Sequence, residues 1–179
     1  MARSALLTYD DLAAMMPADR LRRELIGGEL LVSPSPFTGH QDLVLRVAMA
    51  LVQYAKRCGG RAFVAPLDVI LTPHDVVEPD VIFVAADQVA IITERAIEGV
   101  PRFIVEVLSP SMRSVDSAGG KKHRLYAEHG VAEYWTIDPA TRAIEAFTEP
   151  DEATKTYGRS TSVIGRMEAT VLPGFLFEL

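Results

Sequence analysis

The chain has 179 residues, about half of them apolar, and a formal net charge of −6 at neutral pH, which suits one α/β domain with a full hydrophobic core. A single cysteine, Cys58, excludes an internal disulfide, four scattered histidines exclude a Cys/His zinc cluster, and the acidic balance argues against a protein that coats nucleic acid through Lys and Arg alone. No apolar run approaches the roughly 20 residues that cross a bilayer, and the stretch from Met1 to Tyr9 lacks a signal-peptide pattern, so a cytoplasmic protein without membrane contact is expected.

Thr8, followed by Asp10, Asp11, Leu12, Ala13, Met15 and Met16, reads as a short capped helix stopped by Pro17. Residues 22–32 read as a hairpin, with Glu24-Leu25-Ile26 and Glu29-Leu30-Leu31-Val32 on either side of a Gly27-Gly28 turn. Beyond the break at Ser33-Pro34-Ser35-Pro36, Leu43, Val44, Val47, Ala48, Leu51, Val52 and Ala55 recur at helical spacing, and Gly59-Gly60 ends a helix over 38–57. Strands are predicted over 62–65, 67–71 and 81–84, with turn signals at Pro73-His74-Asp75. A short helix over 86–96 precedes the most apolar strand, 103–108, which Ser109-Pro110-Ser111 closes. A helix over 121–129, strands over 133–137 and 143–147, and short strands near 162–164 and 170–172 complete the chain. The mixed order, without repeats or linkers, predicts one mixed sheet wrapped by helices.

Glu106 is the anomaly in this pattern. Ile104, Glu106 and Leu108 share one strand face and Phe103, Val105 and Val107 the other, so the carboxylate sits where an unpaired charge costs several kcal/mol. It must be neutral, salt-bridged or bound to a metal. Pro79 cannot donate a ladder hydrogen bond, so Glu78-Pro79-Asp80 marks the mouth of the strand beginning at Val81. Two neighbouring strands carrying Asp80 and Glu106 near one end would bring both carboxylates within reach of one cation, the oxygen-rich set that Mg²⁺ prefers.

Residues 61–116 carry nine acidic and four basic side chains, an excess that reads either as a metal site or as a solvated acidic face. Lys122 and Tyr126, four residues apart, share a helix face. There the lysine could orient an attacking water, with surface exposure the competing reading. Glu29 could reach the same metal from the hairpin. His40, at the start of the long helix, is a candidate for a phosphate or leaving oxygen, and Asp68, with apolar neighbours, for a supporting hydrogen bond. His74, His123 and His129 read as surface residues.

The ordered motifs Glu24-Leu25-Ile26-Gly27-Gly28-Glu29-Leu30, Ser33-Pro34-Ser35-Pro36, His40-Gln41, Pro66-Leu67-Asp68-Val69, Glu78-Pro79-Asp80-Val81, Val105-Glu106-Val107-Leu108-Ser109-Pro110-Ser111 and Gly130-Val131-Ala132-Glu133-Tyr134-Trp135 end with Leu172-Pro173-Gly174-Phe175. Together they resemble the Uma-two family of restriction-endonuclease-like proteins over almost the whole chain. The resemblance implies a single PD-(D/E)XK-type nuclease domain over 1–179, a central mixed β-sheet flanked by helices with an N-terminal hairpin. It also implies phosphodiester hydrolysis dependent on Mg²⁺ or Mn²⁺, DNA as substrate, and a homodimer. Asp80 matches the motif aspartate and Glu106 its second acid. Leu108 stands where the superfamily has a strand lysine, and the family's replacement lysine, four residues before a tyrosine, maps to Lys122. The loop between Ser111 and Lys122 is longer than usual in this family, which leaves Lys121 as a competing assignment.

The leading expectation is therefore an endodeoxyribonuclease in which Asp80, Glu106 and Glu29 bind metal and Lys122 positions water. The acidic balance and the absent strand lysine motivate a second expectation, a nuclease-fold binding or assembly module without catalysis. A third is a hydrolase of small phosphate esters.

Overall fold

Helix capping and turn chemistry set the first elements. In the computed structural model, which describes residues 6–15 and 21–179, the Asp11 backbone N–H donates to the Thr8 hydroxyl and the Thr8 N–H to the Asp11 carboxylate, closing a capping box on α1 (Tyr9–Ala14). Met16 and Pro17, the expected end of this helix, lie outside the described residues. The hairpin forms as expected from β1 (Arg22–Ile26) and β2 (Glu29–Ser33), with Gly27 and Gly28 at φ of 60° and 74°, the left-handed pair that a tight two-residue turn demands. A Cβ on Gly28 would stand 2.6 Å from Leu6 Cβ.

The amphipathic α2 (Thr38–Cys58) leads to β3 (Arg61–Val64), β4 (Val69–Thr72), β5 (Asp75–Val77) and β6 (Val81–Val84). Past a 3-10 helix over Ala86–Ile91 come β7 (Ile97–Glu98) and β8 (Phe103–Val107). Two helices, α3 (Arg113–Asp116) and α4 (Lys121–Glu128), precede the antiparallel run β9 (Glu133–Asp138), β10 (Ala143–Asp151) and β11 (Thr156–Ile164). Finally β12 (Arg166–Glu168) pairs with β13 (Leu176–Glu178).

The expected single sheet is divided into two large sheets beside the β12–β13 pair. The hairpin heads a five-stranded sheet ordered β2-β1-β5-β4-β7, and a six-stranded sheet runs β11-β10-β9-β8-β6-β3. The chain passes between them at Pro66, after β3, and at Pro79, before β6, where a residue without an N–H cannot continue a ladder. The mixed α/β class stands, with β8 and β9 parallel inside the otherwise antiparallel larger sheet. Other expectations shift: β5 and α3 were not foreseen, the helix over 86–96 is a shorter 3-10 turn, and residues 170–172 form no strand.

One face of the six-stranded sheet packs Val81, Phe83, Phe103 and Val105 against Leu43, Val47, Leu51 and Tyr54 of α2. The other packs Ile82, Ile104 and Tyr134 against Leu125 and Tyr126 of α4 and Val69, Val77 and Ile97 of the smaller sheet. Strand alternation therefore aims Glu106 at this second interface, between the two sheets. His123, read from sequence as a surface residue, is buried there, edge-on to Phe147 and Tyr157. No described helix is long and apolar enough to cross a membrane.

Asp75 ties the hairpin turn to the β4–β5 turn. Its carboxylate accepts the Gly27 N–H at 2.7 Å and the Thr72 hydroxyl at 2.8 Å, with His129 Nε2 at 3.5 Å. Burial raises its pKa, but His129 and these donors outweigh that and lower it to about 2. A depressed pKa stabilises the fold above the unfolded value near 4 and loses that contribution as pH falls towards the folded value. Asp75→Ala is expected to cost about 1 kcal/mol at pH 7, discounted for the solvent that reaches the group. Urea melts of the two proteins should converge as pH falls from about 4 to about 2; a difference constant with pH would contradict the assignment.

Candidate active site

The ladder between β6 and β8 pairs Val81 with Val105, so one step further Asp80 and Glu106 face each other on the buried side of the sheet. Lys122 Nζ, on α4, donates to Glu106 Oε1 at 2.9 Å and to Glu24 Oε1 at 2.8 Å, and lies 3.7 Å from Asp116 Oδ1. Tyr126, one turn along α4, donates its hydroxyl to the same Glu106 oxygen at 2.8 Å. Glu24 comes from β1 and also accepts the Glu78 N–H at 2.8 Å. One ammonium thus joins a carboxylate from each sheet, and Lys122, Glu24 and Glu106 are essentially inaccessible to solvent.

Asp80 stands at the edge of this cluster. Its Oδ2 accepts the Val107 backbone N–H at 2.8 Å and lies 3.0 Å from His40 Nε2, while Arg22 donates to Oδ1 at 2.8 Å. Burial opposes its charge, but His40 and the Arg22 guanidinium outweigh burial and hold Asp80 well below the usual carboxylate range. Glu106 and Asp116 go the other way. Burial pushes both up, Lys122 pulls them down, and the neighbouring carboxylates add to the rise. Asp80 and Asp116 line a cleft of about 390 Å³ whose walls are Ser33-Pro34-Ser35-Pro36 and Ser109-Pro110-Ser111.

Of the residues singled out from sequence, Asp80, Glu106, Lys122, Tyr126 and His40 come together here. Lys121 does not; it is exposed and pairs at 3.3 Å with Glu29, whose side chain is 73% exposed. Glu29 therefore lies away from the acids it was expected to join: it shares the sheet face of Glu24 but sits at the turn end of the hairpin, two ladder pairs further along and open to solvent. Asp68 sits just before β4, accepting a hydrogen bond from Tyr9 rather than from the site. Sequence reasoning missed Glu24, Arg22 and Asp116. Glu24 carried the same signal as Glu106, a carboxylate beside Leu25 and Ile26 in a strand, whereas Asp116 lies in a polar stretch with no periodicity to mark it.

Among the described residues no three acidic, His or Cys groups form a ready-made metal-binding cluster. The donor chemistry nonetheless fits a hard divalent cation. Four carboxylates face two permanent cations, Lys122 and Arg22, and the buried Glu24 Oε2 and Asp116 Oδ1 have no hydrogen-bond partner.

Removing Lys122 would leave Glu106 buried without its cation. Lys122→Met is expected to destabilise the protein by about 3 kcal/mol or more at pH 8. A carboxylate whose folded pKa is raised favours folding below its unfolded value and loses that contribution as pH rises. The variant should therefore recover stability in denaturant melts as pH drops from about 8 to about 5, relative to wild type. An equal deficit at both ends of that range would contradict the charge arrangement.

A crystal structure described as "a putative nuclease belonging to DUF820", from Anabaena variabilis ATCC 29413, matches with a TM-score of 0.69 over 94% of this chain and 90% of that one. At 19% identity this likeness shows a shared fold. No curated protein matches the sequence. Residues 8–175 match the Uma2 family, described as "Putative restriction endonuclease", and the chain belongs to that family.

Proposed function

We propose that the protein is a DNA endonuclease dependent on Mg²⁺ or Mn²⁺, with Asp80, Glu106 and Asp116 as the residues that would hold the cation. The observation that carries this reading is the buried Lys122–Glu106 pair, set behind an ionised Asp80 that opens into the cleft. When bound, a divalent cation supplies Lewis-acid polarisation of a phosphoryl oxygen and a more acidic water. Lys122 fixes the Glu106 carboxylate and contributes positive charge beneath the cleft floor. Tyr126, whose pKa is raised well above its ordinary value, first by burial and then by Glu106, keeps its proton and holds the same oxygen. Arg22 and His40 keep Asp80 ionised, and Arg22 presents a guanidinium at the wall of the cleft where a phosphate would lie.

Purified protein is expected to cleave DNA with Mg²⁺ or Mn²⁺ and not in EDTA. Asp80→Ala and Glu106→Gln should each lower the rate at least about 10²-fold, with folding checked by circular dichroism. Wild-type protein inert on duplex, single-stranded and branched DNA with either metal would sink the proposal. The Arg22–Asp80 bridge favours a second reading, a DNA-binding module that has lost catalysis, which the same assay separates if DNA is bound but not cut.

The homodimer that the resemblance implies is supported by an exposed apolar stripe on α2, where Leu45 and Met49 are each 58% exposed and Val52 42%. Light scattering should give a dimer mass that Met49→Glu reduces to a monomer; a monomeric wild type removes this reading.

A further inference from the structure

The cleft beside Asp80 is one of two pockets that share a wall. The second, about 370 Å³, lies across Pro34, Ser35 and Pro36 from the first and is bordered by Gln41, Pro66 and Glu78. Consecutive residues in the first turn of α2 divide between them, His40 lining the first pocket and Gln41 the second. Arg22 borders both and is the only Lys or Arg among the described residues that line either. Each volume is near the small end of the roughly 300–1,000 Å³ typical of pockets that enclose small ligands.

Phe37 lines the first pocket and leaves 77% of its surface exposed, directly after Pro36 and at the start of α2. An aromatic ring open to solvent in a cleft whose one guanidinium is already bridged to Asp80 is poorly matched to intact duplex, whose bases are stacked inside and whose binding draws on many Lys and Arg contacts. It is well matched to a single strand, where each base offers a free π-face and stacking on an aromatic side chain supplies much of the affinity.

We infer that the paired pockets take two consecutive nucleotides of a single DNA strand, with the phosphate between them over Arg22 and one base stacked on Phe37. The substrate is then single-stranded DNA or the unpaired end of a flap, not intact duplex. In the second pocket Gln41 and Glu78 present hydrogen-bonding groups to the edge of the neighbouring base. This rests on the reading of the site as a DNA nuclease and specifies the strand state it acts on.

The test is fluorescence anisotropy with a short labelled single strand and with the blunt duplex of the same sequence, Ca²⁺ replacing Mg²⁺. The single strand is expected to bind at least about tenfold tighter than the duplex. Phe37→Ala should lose about tenfold of that affinity, as removal of one stacking platform does, and Phe37→Trp should keep it. Being exposed, Phe37 is replaceable without disturbing the core. A duplex bound as tightly as the single strand, or single-strand affinity unchanged in Phe37→Ala, overturns the inference. Cleavage assays with Mg²⁺ separate the two readings. Equal cutting of duplex and single strand keeps the nuclease and removes the strand preference. Phe37-dependent binding of single strands without any cutting keeps the paired pockets and removes the nuclease.

Discussion

The Lys122 ammonium is the point on which the two sheets meet. Glu24 arrives from the smaller sheet, Glu106 from the larger, and α4 carries the charge between them. Each of these groups alone would be costly to bury, by several kcal/mol per ion. Together they satisfy one another closely enough that the apolar packing around them, Ile104, Tyr134, Leu125 and Val77, can close over the cluster. The surrounding architecture follows from this: α4 must lie across the sheet interface, and β1 must run beside β5 for Glu24 to face it.

The cluster is also unbalanced in a useful way. Asp80 is held ionised by donors on three sides, while Glu106 and Asp116 are driven towards their neutral forms by burial and then by neighbouring carboxylates. Titratable groups whose environments pull their proton affinities apart are the arrangement from which distinct chemical roles arise. Here the difference comes from position: Asp80 is at a strand mouth, within reach of α2 and β1, and Glu106 is one strand over, hydrogen-bonded by Lys122 and Tyr126 of α4.

Much of this was legible in the chain. Glu106 was visible because strand alternation left a carboxylate with no polar face to occupy, and Asp80 because a proline placed it at the start of the neighbouring strand. Lys122 over Lys121 was decided by packing: the helix face that carries Tyr126 carries Lys122 inward and sends Lys121 out to Glu29. The single sheet was predicted from the mixed order of elements alone, which does not show that Pro66 and Pro79 mark passage between two sheets. Arg22 was hidden beside Arg23, since nothing local says which of two adjacent arginines turns inward. Glu29 was expected at the metal and Glu24 was passed over, although the register puts both on one face and leaves Glu29 at the exposed turn, two ladder pairs away.

Pro79 gives the site a mechanical property as well. The ring locks one backbone torsion between Glu78, whose N–H is fastened to Glu24, and Asp80, which borders the cleft. Covalent stiffness thereby adds to the contacts from Arg22, His40 and the Val107 N–H in setting the offset of Asp80 from the smaller sheet. The acid that borders the cleft is thus tethered by its own chain as well as by its donors, a double restraint on where it can stand.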